Sequence, residues 1–193
     1  MKKKVGVLAL QGDFAAHQAA LERAGAEAVP VRDAGQLRQI DGLVIPGGES
    51  TTMLKLLHYD HLLEPVVQFA REKPVFGTCA GAILLAKGVS HPSQESFGVM
   101  DIDVERNGYG RQLDSRVAEL EPEAEFAKRT APGNLEAVFI RAPIIRRIGA
   151  KTKVLVRYNG DPVLVEERQY LAATFHPELT SDSRIHKLFL EKL

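Results

Sequence analysis

The chain has 193 residues, 45% of them hydrophobic and 26% charged, which fits one globular domain spanning 1–193 with a core of its own. Lys+Arg number 25 and Asp+Glu number 25, and a net charge of zero argues against a nucleic-acid or membrane-surface binder, since those need a basic excess. The one cysteine, Cys79, excludes an intrachain disulfide framework and a multi-cysteine zinc site, and it fits a reducing compartment. No apolar run approaches a membrane span and no signal-peptide pattern opens the chain, so a cytoplasmic protein is expected.

Residues 4–10 (KVGVLAL) predict a strand, being too short and too β-branched for a helix. A helix is predicted over 14–24, stopped at Gly25, then strands over 28–31 and 42–45, the latter bounded by Pro46-Gly47-Gly48. Helices follow over 51–58 and 62–72, a fourth strand over 74–77, and a helix over 80–87 stopped by Gly88. Apolar strands alternating with helices predict a parallel sheet covered on both faces. After Gly88 the pattern changes. Residues 99–105 set Met100, Ile102 and Val104 against Asp101, Asp103 and Glu105, as in a half-buried strand. Residues 117–120, 137–141, 154–158 and 162–167 read as further strands, with Asn159-Gly160 a hairpin turn between the last two. The segment 121–134 reads as a surface loop with room for a short helix, 171–175 as a buried strand and 183–193 as a closing helix. The expected fold is α/β, a mostly parallel sheet with appended antiparallel strands.

Three segments carry chemistry. Gly77-Thr78-Cys79-Ala80-Gly81 places a cysteine at a strand-to-helix turn, with glycines where a β-carbon would clash. A free thiol is only a few per cent ionised at pH 7, and a helix N-terminus with a nearby histidinium favours the thiolate. His176-Pro177-Glu178 follows the strand over 171–175, and Pro177 is expected to keep it extended, so that Glu178 falls on the side of His176. Such a carboxylate would orient the imidazole. Both groups lie at strand C-termini, which share one edge of a parallel sheet. Pro46-Gly47-Gly48-Glu49-Ser50 reads as a tight turn, or as an oxyanion hole pairing the Gly48 and Ala80 amides. A phosphate loop is rejected, because no Gly-Lys-Ser/Thr follows and Glu49 would repel phosphate. His58-Tyr59-Asp60-His61 lacks a third ligand nearby for a metal. Arg106 reads either as a clamp for a substrate carboxylate or as a solvated surface arginine.

With these residues in view, Gly77–Gly81 and His176-Pro177-Glu178 resemble the triad-type (class I) glutamine amidotransferases. The stretches VGVLALQGD, GLVIPGGESTTM, FGTCAGAILLA, VERNGYGRQLDS, FIRAP and TFHPELT narrow the resemblance to the glutaminase subunits of pyridoxal 5′-phosphate synthase. The resemblance implies a single-domain, flavodoxin-like three-layer sandwich and the hydrolysis of L-glutamine to L-glutamate and ammonia, with no cofactor and no metal. It implies Cys79 as nucleophile, His176 as base and acid, and Glu178 as the residue that orients it. Gly47, Gly48, Glu49, Arg106, Ile140 and Arg141 match the family's glutamine-binding positions, and Gln11-Gly12 matches a segment that completes the oxyanion hole when a partner docks. That partner would be a (β/α)₈-barrel synthase subunit. Ala16 stands where the family pattern has a glutamate. The alternatives are a glutaminase of another pathway, such as histidine synthesis, a DJ-1-like cysteine hydrolase, and a non-catalytic regulatory module. Many DJ-1-like proteins have a histidine directly after the cysteine, where this chain has Ala80.

Overall fold

The computed structural model describes residues 2–107 and 115–193. The part of VERNGYGRQLDS that falls at 108–114 lies outside the described residues. Seven strands form the main sheet. In chain order the elements are β1 (Lys4–Leu8), α1 (Phe14–Arg23), β2 (Glu27–Val31), α2 (Ala34–Leu37), β3 (Gly42–Ile45), α3 (Ser50–Tyr59), α4 (Leu63–Glu72), β4 (Val75–Thr78) and α5 (Ala80–Leu85). There follow β5 (Ala86–Ser90), β6 (Met100–Glu105), β7 (Ser115–Leu120), α6 (Ala124–Ala127), β8 (Leu135–Ile140), β9 (Ile144–Ile148), β10 (Lys153–Tyr158), β11 (Asp161–Glu167), β12 (Tyr170–Ala173), a 3₁₀ turn at Pro177–Leu179 and α7 (Arg184–Leu190).

The main sheet runs β10-β11-β12-β4-β3-β1-β2. Its β12, β4, β3, β1 and β2 are parallel, and β10 and β11 extend it antiparallel. Strand alternation sends side chains to two cores. Leu43 and Ile45 of β3 pack with Met53, Leu57, Val66 and Leu84 of α3, α4 and α5 on one face. Val44 packs with Phe76, Leu21, Leu188 and Phe189 on the other. The molecule is therefore the expected α/β sandwich around a mostly parallel main sheet. Smaller sheets, β5-β6-β9 and β7-β8, are appended. The hairpin turn is at Asn159-Gly160, with φ of 50° and 88°, the positive values that its two-residue loop requires.

Several expectations need correction. The helix after Cys79 stops at Leu85, and Ala86–Ser90 is a strand paired with β6. Gly88 is not a helix stop. A β-carbon there would lie 2.4 Å from Asp103 Oδ1, so glycine allows β5 and β6 to approach. Strand β9 is absent from the sequence-based expectation, because its IIRRI sequence does not alternate, and a register shift opposite β6 accommodates that. Helix α2 is absent from it too; Asp33 and Gln36 form a capping box around its first turn. Finally, residues 177–179 are a 3₁₀ turn and not an extended segment. Proline at the first position of such a turn loses no hydrogen bond.

Candidate active site

Cys79 sits between β4 and α5 with φ 49° and ψ −106°. For a residue with a β-carbon this is strained backbone. The turn is built around its glycines. A β-carbon on Gly77 would lie 2.5 Å from the Gly81 carbonyl, and one on Gly81 would lie 2.1 Å from the Ile45 carbonyl. Strand β12 fixes the turn from the side, where the Cys79 N–H donates to the Ala173 carbonyl at 2.8 Å. Ala80 is the first residue of α5, so its N–H has no intrahelical acceptor.

His176 arrives just after β12. Its N–H donates to the Val138 carbonyl of β8 at 2.8 Å, and its Nδ1 lies 2.7 Å from Glu178 Oε1. The 3₁₀ turn brings Glu178 back beneath the imidazole, so the pairing expected from an extended chain is achieved by a different conformation. Burial opposes a charge on His176, but Cys79 and Glu178 outweigh it and push the imidazole pKa up to about 10. The Cys79 thiol donates to the Ile140 carbonyl at 3.9 Å.

A cleft of about 290 Å³ opens over these groups, lined by Gly12, Asp13, Gly47, Gly48, Glu49, Ser50, Cys79, Ile83, Arg106, Asn107, Ile140, Arg141 and His176. Gly47 is wedged against Cys79 and His176. A β-carbon there would lie 2.5 Å from His176 Cε1 and 3.3 Å from Cys79 Cβ. The loop is braced on its other side by Gln11, whose amide donates to the Glu49 carbonyl at 3.0 Å and accepts from the Glu49 N–H at 2.9 Å. Glu49 caps α3 through the N–H groups of Thr51 and Thr52. Its partial burial disfavours charge, but the Thr52 and Thr51 hydrogen bonds hold its pKa down at about 2.

The chain matches the SNO glutamine amidotransferase family over residues 7–193. It is 68% identical over 191 residues to the pyridoxal 5′-phosphate synthase subunit PdxT of Solibacter usitatus, covering 99% of this chain and 100% of that one. It is 54% identical over 188 residues to the protein of the same name from Koribacter versatilis, covering 97% and 94%. The chain belongs to the SNO glutamine amidotransferase family.

A crystal structure of a glutamine amidotransferase superposes with a TM-score of 0.87 at 46% identity, covering 97% of each chain. The structure of PurLQS from Thermotoga maritima superposes at 0.69 with 15% identity, covering 99% of each chain, which shows a shared fold. In this chain Gly47, Gly48, Glu49, Arg106, Ile140 and Arg141 all border the cleft, as does Gly12. Gln11 instead braces the Glu49 backbone, and Glu178 is buried behind His176. Arg106 is engaged already, its Nη2 donating to Thr51 Oγ1 at 2.7 Å and to Glu49 Oε1 at 3.3 Å. His58 pairs with Glu95 at 2.8 Å, away from the cleft lining. Among the described residues no three His, Cys, Asp or Glu cluster as a metal site would require, and no helix is long and apolar enough to cross a membrane.

Three buried polar side chains near Cys79, His176 and Glu178 are given no role by sequence reasoning: His17, Thr78 and His186. The available signal is helical spacing. His17 shares the buried stripe of α1 with Ala20 and Leu21.

Proposed function

We propose that the chain hydrolyses L-glutamine to L-glutamate and ammonia with Cys79, His176 and Glu178, and that it supplies the ammonia to a (β/α)₈-barrel synthase subunit making pyridoxal 5′-phosphate. The observation that carries this reading is the 2.7 Å His176–Glu178 pair set beside Cys79 in a cleft whose floor is the Gly47-Gly48 loop. The Cys79 proton passes to His176, and Sγ attacks the carboxamide carbon. The carbonyl electron pair moves onto oxygen, where the Gly48 and Ala80 N–H groups receive it; each such donor is worth about 10²–10³ in rate. Collapse breaks the C–N bond as His176 gives its proton to the leaving nitrogen, so ammonia departs and a glutamyl thioester remains. Water then loses a proton to His176 and attacks the thioester, which releases glutamate and regenerates the thiol. Gly47, Glu49, Arg106, Ile140 and Arg141 border the space in which the amino acid lies, and Gln11-Gly12 adjoins the oxyanion donors. A thiol nucleophile of this kind suits a reducing compartment such as the cytoplasm.

The test is glutamate release with and without the barrel protein. Release that the barrel stimulates and Cys79→Ala abolishes is the expected result. Full release by Cys79→Ala, or none from the unsubstituted pair, overturns the reading.

A further inference from the structure

Behind Glu178, on the side away from the cleft, lie two buried histidines that the amide-cleaving steps do not use. Glu178 Oε1 is taken by His176, whereas Oε2 is buried with no aligned hydrogen bond among the described residues. The donor that faces it is His17 Nε2, at 3.3 Å, with both side chains fully buried. The same His17 Nε2 lies 2.9 Å from Thr78 Oγ1, on the residue directly before the nucleophile. On its other side His17 Nδ1 lies 3.2 Å from His186 Nε2 of α7.

We propose, resting on the glutaminase reading above, that His17 is a positioning residue for amide cleavage: its Nε2–H faces the second oxygen of Glu178 and the hydroxyl of Thr78, and so ties the acid of the triad to the strand that ends in the nucleophile. The proton positions follow from the carboxylate. A bare Nε2 would set a lone pair against a carboxylate oxygen in a buried site, which is repulsive, so His17 is the Nε2–H tautomer. Its Nδ1 is then an acceptor, and His186 must donate from Nε2. That leaves His186 Nδ1 unpartnered, as an acceptor and not as an N–H, which is the cheaper group to bury unpaired. The two rings thus form one line of dipoles that ends on Thr78 Oγ1, with Glu178 Oε2 beside its positive end.

The charges facing the line agree with it. Burial first, then His186 and His176, lower the His17 pKa well below its ordinary value. Burial and Arg23 lower His186 to about 4, against the opposing pull of Asp182. Both rings are therefore neutral at pH 7, and neither competes with His176 for the charge on Glu178. An apolar side chain could fill the space beside Phe76, against which His17 packs edge-on, without the cost of burying an imidazole. What it could not supply is the donor.

The experiment measures glutamate release by the full chain with its barrel partner, as kcat and KM separately. His17→Leu should lower kcat by about 10²-fold, the cost of a misplaced catalytic group, with KM nearly unchanged. His17→Gln, whose amide can offer an N–H near the Nε2 position, should recover about tenfold of that loss. An unchanged kcat in His17→Leu, a loss carried by KM, or no recovery in His17→Gln overturns the proposal. Should His17→Leu fail to fold, the imidazole ¹⁵N spectrum of the unsubstituted chain decides. Neutral Nε2–H tautomers at His17 and His186 support it, and an Nδ1–H tautomer at His17 overturns it. If the unsubstituted pair releases no glutamate, the glutaminase reading fails, while the spectrum still decides the contact.

Discussion

Cys79 carries its side chain at a φ of 49°, a conformation that costs a residue with a β-carbon about 1–3 kcal/mol. Glycine is free of that cost. Ordinarily a glycine is about 0.5–1 kcal/mol less stabilising than alanine within regular structure. At this turn the order should invert: Cys79→Gly should be more stable than Cys79→Ala by about 1 kcal/mol, read from urea unfolding, with both variants inactive. Equal stability would show that the turn stores no strain. The charge on His176 belongs to the same scale. With the imidazole pushed up to about 10, the stabilisation it draws from its partners is fully present below the ordinary histidine value and is lost as pH rises through about 10. Cys79→Ala removes one of the two groups that raise it. The His176 midpoint, followed by the imidazole Cε1 proton in NMR, should therefore fall well below 10, and an unchanged midpoint would assign the whole effect to Glu178.

Between elements, one buried carboxylate joins three parts of the chain. Glu166 of β11 accepts from Arg129 at 2.7 Å, beyond α6, and from Lys192 at 2.8 Å, beyond α7. Its burial opposes charge, but Lys192 and Arg129 hold its pKa below the ordinary carboxylate value. A depressed pKa gives stability that is present above the ordinary value, near 4.3, and that drains away as pH falls below it. Glu166→Ala should cost about 1.5 kcal/mol at pH 7, because Arg129 is left with Glu191 alone and Lys192 with the Arg168 carbonyl alone. The penalty should shrink below about pH 4, as chemical denaturation at several pH values would reveal. The sequence makes some elements plain and hides others, for physical reasons. β3 is legible to the residue because a continuous apolar run between turn residues has no other stable use. β5 is hidden because Gly88 looks like a helix stop and is a point of close approach between strands. β9 is hidden because its two adjacent arginines break the alternation, which a bulge restores in three dimensions. The Cys79 turn is legible because close backbone contacts demand glycines on either side of it. His176 and Glu178 are legible as a pair, though not in their true conformation. His17 is not, since a histidine on a helix stripe looks the same whether it touches a buried carboxylate or only fills space.

Over the whole molecule, the sheet brings together residues that the sequence keeps far apart. β12 enters the middle of the sheet, between β4 and β11, after every other strand has been laid down. Before it arrives, β4 is an open edge, and such edges invite association with other chains. Closure of the β12–β4 parallel pair joins segments far apart in sequence, the kind of contact that slows folding. The elbow also depends on that closure, because the Cys79 N–H is held by the Ala173 carbonyl and His176 follows just beyond Thr174 and Phe175. A polypeptide synthesised only as far as β11 therefore has the Cys79 thiol but not yet His176. On the proposed glutaminase reading, the pairing of the final strand is therefore a precondition of amide cleavage, ahead of any stimulation by the barrel partner.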